Sequence, residues 1–274
     1  MKIKILSLLF TLCFLTQVHA EPNYTFARAP QLSPSITSEL WEPFVQHLSN
    51  SVNGKITLKV YLTREEFESD LRMGKVDFYF GNPGYGVVGH MRNGYIPLIR
   101  SNKKLLEGII VVKNNSGIEN LQQLNNKTIA FPDRTAFAAS LYLRASIKND
   151  IKINYQTIYT GSHDNNYRTV LIGKADAGGG VERTLLQQDI KLRDQLKIIY
   201  KSPGIKPHPL MAHPKVPKSV RQAIQEAVLD LNNDKNGKKL LKQIKLQKPV
   251  IANYDLDYKA LESATSEMYG YLLN

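Results

Sequence analysis

The residues best suited to chemistry in this chain could grip a small anion, and they concentrate between Thr160 and Gly180. Thr160-Gly161-Ser162-His163-Asp164 reads as a loop that opens a helix. Gly173-Lys174-Ala175-Asp176-Ala177-Gly178-Gly179-Gly180 reads as a turn feeding a short strand that ends in glycines. Ser162 suits the capping position, where its hydroxyl accepts a free amide proton of the first turn. His163 and Asp164 then fall in that turn, where unpaired N–H groups and the helix dipole favour negative charge. The glycines after the strand let a ligand approach the backbone. The pattern is that of a holder for a small anionic ligand between a helix start and a strand end.

Little supports bond breaking. There is no Gly-x-Ser-x-Gly elbow and no histidine pair at metal-binding spacing. His208 and His213 are separated by Pro209, so they do not share a helix face. Asp133 and Asp164 fall at helix starts, where carboxylates are ordinary dipole partners. The chain is read as a non-enzyme with no catalytic residues, no cofactor and no metal.

Strands and helices alternate along the whole sequence to position these residues. Strands are expected at Tyr24 to Ala29, Lys55 to Tyr61, Val76 to Phe80 and Tyr95 to Ile99. Helices are expected at Pro34 to Leu48, from Thr63 to Met73 with a capping box to Glu66, and after Asn82-Pro83. A second series follows the polar stretch Ser101 to Lys104. It has strands at Gly108 to Val112, Lys127 to Phe131, Gln156 to Tyr159, Ala175 to Gly178 and Leu196 to Tyr200. Its helices start at Thr135, Ser162 and Glu182. The Pro-rich segment Pro203 to Pro209 reads as a crossover to a strand at Leu210 to His213 and three C-terminal helices. Alternation of this kind argues an α/β protein with mostly parallel sheets flanked by helices. Two series with two crossings argue two lobes, 21–104 and 105–203, with 204–274 returning to the first. Ligands of open α/β sheets bind beyond the carboxyl ends of the strands, so two facing lobes make a cleft that closes by hinge motion.

Residues 1–20 read as a secretory signal: Lys2 and Lys4, an apolar run from Ile5 to Leu15, and the small Ala20 at the cleavage site. Cys13, the sole cysteine, falls inside it, so the exported protein should have neither disulfides nor a thiolate site. The net charge is +12, and loss of Lys2 and Lys4 leaves +10. Export argues against nucleic acid as the partner, and the lysines of 235–248 lack interleaved aromatics and read as a solvated helix face. A positive field suits an anionic small molecule. With no later apolar stretch of spanning length, the mature chain is expected to be soluble, periplasmic and monomeric.

Several short motifs, in order, resemble the phosphate/phosphite/phosphonate-binding proteins of ABC importers. They are Trp41-Glu42-Pro43-Phe44, Gly74-Lys75-Val76-Asp77 with Phe80-Gly81-Asn82, and Ile118-Glu119-Asn120-Leu121 with Leu124. Gly161-Ser162-His163, Gly173-Lys174-Ala175-Asp176 and Ser202-Pro203 complete the set. The resemblance covers nearly the whole mature chain and implies a two-lobed Venus-flytrap fold that delivers solute to a membrane permease without a cofactor. It also implies departures. The Ser/Thr-rich turn of the family is reduced here to Thr135 in Thr135-Ala136-Phe137-Ala138-Ala139, a family tyrosine is replaced near Arg64, and an acidic ligand partner aligns with His208. Glu182 aligns with the other acidic partner. Loss of the acid at His208 argues against an aminoalkyl phosphonate.

The candidate ligand-binding residues are therefore His163, Ser162, Thr135, Tyr85, Arg64, Glu182 and His208. Each also has a structural reading. His163 can cap or pack, Thr135 can be the helix cap, Tyr85 can pack between lobes, and Arg64 can be solvated. Arg64 does lie in a first helical turn, where a cation opposes the dipole and so suggests a role on an anion. Trp41 and Phe137 read as core. The expected function is capture of a small oxyanion, phosphonate-like or phosphate-like, for an ABC permease. Alternatives are a ligand-sensing subunit for a membrane signalling receptor and a hydrolase of phosphate esters.

Overall fold

The structure is a computed structural model that describes residues 22–273. The expected signal, with Cys13, lies outside the described residues. The first series forms β1 (Asn23–Arg28), α1 (Pro34–Ser49), β2 (Lys55–Lys59), α2 (Arg64–Arg72), β3 (Phe78–Phe80), α3 (Pro83–Asn93) and β4 (Ile96–Ser101). The second forms β5 (Ile109–Lys113), β6 (Lys127–Phe131), α4 (Tyr142–Ser146), β7 (Tyr155–Tyr159), α5 (His163–Leu171), β8 (Ala177–Gly180), α6 (Glu182–Leu186), α7 (Ile190–Arg193) and β9 (Leu196–Lys201). The return adds β10 (Pro209–Ala212), α8 (Lys218–Asp230), α9 (Lys235–Gln243), β11 (Pro249–Ile251), α10 (Tyr254–Asp257) and α11 (Glu262–Leu273).

Each series builds its own sheet, giving two lobes. The first sheet runs β11-β4-β10-β3-β1-β2 and the second β7-β6-β8-β5-β9. Both are mixed. In the first, β1 to β4 share a direction and β10 and β11 run against it. In the second, β5 alone opposes the rest. The opposed strands β5 and β10 are the first that the chain lays down after each crossing. The crossing segments also pair with each other: Leu106 N–H donates to the Ile205 carbonyl at 2.8 Å, and Ile205 N–H to the Leu106 carbonyl at 3.0 Å.

Strand alternation sorts the core of the first sheet onto two faces. Phe26, Phe78 and Phe80 meet Trp41 and Phe44 of α1, while Ala27 and Tyr79 meet Phe67 of α2 and Tyr85 of α3. Trp41 and Phe137 are buried, as their core reading requires. Of the C-terminal helices, α8 and α9 pack on α1, whereas α11 lies against both α3 of the first lobe and α4 of the second. It therefore bridges the two lobes.

The helix expected from Thr135 starts later. It opens with a π-helical turn at Phe137–Leu141, continues as α4 and ends in a second π turn at Ile147–Ile151. Asp133 explains the delay. Its carboxylate accepts both the Thr135 N–H at 2.7 Å and the Thr135 hydroxyl at 2.5 Å, which fixes a turn ahead of the helix. Thr135 is thus not the cap; Ala136 holds that position, without a side-chain hydrogen bond.

Candidate functional site

Arg64 is placed by a helix start. Thr63 caps α2, its hydroxyl accepting the Glu66 N–H at 3.2 Å, and Glu66 reaches back to the Thr63 N–H at 3.3 Å. Tyr85 is placed the same way: the Asn82 side-chain oxygen accepts its N–H at 3.0 Å and starts α3. Arg64 and Tyr85 line a cavity of about 230 Å³ together with Glu68 of α2. The second lobe contributes Arg134 and Thr135 after β6, and Arg144 of α4. Tyr269 and Tyr271 of α11, with the apolar Leu141 and Met268, complete it.

One hydrogen-bond network organises the first-lobe side. Arg64 Nη1 donates to the Tyr85 hydroxyl oxygen at 3.1 Å, and that hydroxyl donates to Glu68 Oε1 at 2.5 Å. The Tyr271 hydroxyl donates to the same carboxylate oxygen at 3.0 Å, and Asn82 Nδ2 donates to the Tyr269 oxygen at 3.0 Å. Burial, then the neighbouring Tyr269 and Glu68, raise Tyr85 far above the ordinary phenol range, so it stays a neutral donor. Burial alone would lower Arg64, but Tyr85, Tyr269 and Glu68 outweigh it and keep the guanidinium charged. Across the cleft, burial would raise the Asp133 carboxyl, yet the Thr135 hydrogen bonds and then the Arg64 charge hold it low.

The charge balance of this cavity is positive. Arg64, Arg134 and Arg144 face a single lining carboxylate, Glu68, which already takes two phenol hydrogen bonds. Among the described residues none of these three arginines forms an ion pair. Arg134 and Arg144 instead lie over the Tyr159 ring at 4.9 and 5.9 Å. Guanidinium groups that form no ion pair keep N–H donors free for the forked hydrogen bonds that an oxyanion accepts. A larger hollow of about 420 Å³ lies beside it, between α4, β7 and α11. Of its two cations, Arg144 is shared with the smaller cavity and Lys148 is already paired with Glu267 at 2.7 Å, so the smaller cavity gathers more positive charge that is free of ion pairs.

The sequence candidates divide. Arg64, Tyr85 and Thr135 come together in this cavity. Ser162, His163, Glu182 and His208 do not line it. Ser162 caps α5 by accepting the Asn165 N–H at 3.1 Å. His163 Nδ1 lies 3.2 Å from the Thr184 hydroxyl, and burial lowers its pKa. Glu182 forms an exposed ion pair with Lys201 at 2.7 Å. His208 stacks on Phe80 with ring centres 5.8 Å apart. Sequence reasoning missed Glu68, Arg134, Arg144, Tyr269 and Tyr271. Glu68 was legible, because four residues after Arg64 it shares the same helix face. The tyrosines were not, because α11 breaks at Tyr269 (φ −133°, ψ 23°) and no simple periodicity describes it.

Residues 26–258 match the family described as ABC transporter, phosphonate, periplasmic substrate-binding protein. The chain belongs to this family. No curated protein matches it in sequence. Among solved structures, XAC2383 from Xanthomonas citri bound to chloride is similar over 91% of this chain and 99% of its own, with a TM-score of 0.75 at 15% identity. PhnD1 from Prochlorococcus marinus in complex with methylphosphonate is similar over 88% of this chain and 96% of its own, with a TM-score of 0.67 at 15% identity. A binding protein component of an ABC phosphonate transporter from Pseudomonas aeruginosa reaches a TM-score of 0.60 at 16% identity, over 92% of this chain and 97% of its own. At these identities the likeness establishes the two-lobed fold. Members of the family are transporter substrate-binding proteins rather than enzymes. Among the described residues of this member, no helix is long and apolar enough to cross a membrane.

Proposed function

We propose that this protein captures a small phosphorus oxyanion between its lobes and presents it, as a monomer in the periplasm, to an ABC permease. The observation that carries the reading is the cavity itself. Three arginines without carboxylate partners converge there from both lobes, beside neutral phenol and hydroxyl donors. Arg64 and Arg144 supply the charge-assisted hydrogen bonds, Arg134 adds charge at the mouth, and Tyr85 keeps Arg64 aimed. The structurally similar PhnD1 complexed with methylphosphonate supports a phosphorus ligand. The paired crossing segments at Leu106 and Ile205 supply a hinge about which the lobes close. A thermal-shift panel of phosphate, phosphite, methylphosphonate, sulfate and small carboxylates tests this. Stabilisation by a phosphorus oxyanion that is lost in Arg64→Gln is the expected result. Stabilisation by carboxylates alone would overturn the phosphorus assignment.

A further inference from the structure

Arg28 ends β1 at the carboxyl edge of the first sheet and does not line the cavity above. Its guanidinium lies over Trp41 at 5.6 Å and Phe80 at 5.4 Å. Nη1 donates to the Ala29 carbonyl at 2.5 Å and more weakly to the Phe80 carbonyl at 3.4 Å, and Nη2 donates to Gln31 Oε1 at 2.6 Å. The Nε proton and a second Nη2 proton have no partner among the described residues. The charge has none either. By contrast, Arg100, also partly buried at the end of a strand of this sheet, is neutralised by Asp257 at 3.0 Å.

The surroundings of Arg28 are basic. His208 shares the Phe80 ring with it. Lys245, which follows α9, is close enough for its charge and that of Arg28 to act on each other, and Arg183 of the second lobe acts on Lys245 in turn. Burial lowers Arg28 to about 10, and burial, then Arg28 and Lys245, push His208 down to about 3. Among the described residues no acid forms an ion pair with Arg28, Lys245 or Arg183. A partly buried cation without a counter-charge costs stability unless an anion completes it. Arg28 points to the α1 face of the sheet, while Arg64 and Tyr85 cover the opposite face, so the two positive centres flank the same carboxyl edge.

We propose that Arg28 is the core of a second anion-binding position in the cleft, and that the ligand carries two anionic groups, as in a phosphonocarboxylate. One group meets Arg64 and its partners, the other Arg28. The inference rests on the reading of the cleft as an oxyanion site and adds the ligand's second end.

Calorimetric titration of the purified protein with methylphosphonate, phosphonoacetate, 3-phosphonopropionate and 2-aminoethylphosphonate tests it. The better phosphonocarboxylate should bind about tenfold tighter than methylphosphonate, and the aminophosphonate weakest of all. Arg28→Gln should bring the ratio of phosphonocarboxylate to methylphosphonate affinity close to one. His208→Asp is a second, independent probe and should shift preference toward the aminophosphonate. Methylphosphonate binding as tightly as both phosphonocarboxylates, or a ratio unmoved by either substitution, overturns the inference and leaves the oxyanion reading standing. If no phosphonate binds but malonate or succinate does, with Arg28→Gln abolishing it, the two-anion inference stands and the phosphorus reading falls. Failure of all these compounds overturns both.

Discussion

Arg64 shows how a single side chain acquires a task. It occupies the first turn of α2, where the dipole disfavours a cation, and the fold holds it there through the Tyr85–Glu68 relay. A charge-assisted hydrogen bond contributes about 1.5–3 kcal/mol. Arg64→Gln should therefore weaken methylphosphonate binding by roughly one to two orders of magnitude and also lower the melting temperature slightly, because Tyr85, Tyr269 and Glu68 together favour the charged guanidinium in the fold. Titration calorimetry alongside a melting curve reads both, and an unchanged affinity would remove Arg64 from the site. His208 gives a pH signature. Its folded pKa, about 3, lies below the ordinary imidazole value near 6.5 that the unfolded chain retains. The unfolded state thus takes up the proton first as pH falls, so this contribution is intact above pH ~6.5 and is lost toward pH ~3. Urea midpoints at two pH values should show the wild type losing up to about 2 kcal/mol more than His208→Gln between pH 7 and 5. Equal losses would mean that the ring titrates freely.

At the scale of elements, the contact between α3 and α11 decides the shape of the cleft. Gly84 leaves room for the Tyr269 ring; a Cβ there would fall 2.4 Å from it. The ring packs against Tyr85 at a tilt of 39° with centres 5.0 Å apart, and Asn82 anchors its hydroxyl. Gly84→Ala should destabilise the protein by about 1–3 kcal/mol through overpacking and weaken anion binding at the same time, since Tyr269 forms the cavity wall. Chemical denaturation and a titration on the same sample check the coupling. Stability lost with affinity intact would show that α11 is only a brace.

At the scale of the whole molecule, two lobes joined by paired segments let a ligand stabilise the fold by linkage. An oxyanion at a hundred times its dissociation constant should raise stability by about 2.7 kcal/mol, a melting shift of a few degrees for a chain of this size. Because the cleft is cationic and opens to solvent, raising salt from about 0.05 to 0.5 M should weaken binding measurably as the Debye length shrinks. A salt-independent affinity would argue for a ligand held by apolar contacts instead.

Local pattern sufficed for much of this. Alternation and caps placed β2, α2, α3 and α5 within a few residues, because a period of two or 3.6 and a side-chain cap are short-range effects. The family motifs and the two-series order carried the two-lobed α/β fold. The site was legible only in part. Arg64, Tyr85 and Thr135 were recognisable from helix starts, but that they share one cavity with Arg134 and Arg144 depends on how two separate sheets face each other. Thr135 is drawn into a turn by Asp133 and leaves the cap position to Ala136, a competition between hydrogen bonds that spacing does not resolve. Tyr269 and Tyr271 reach the site because the last helix crosses back between lobes, and Arg28 stands out only once the missing counter-charge can be seen in space. The sequence by itself determined which elements form and which residues open them. The tertiary structure alone decided which charges meet, since pairing and burial of charge depend on neighbours distant in the chain.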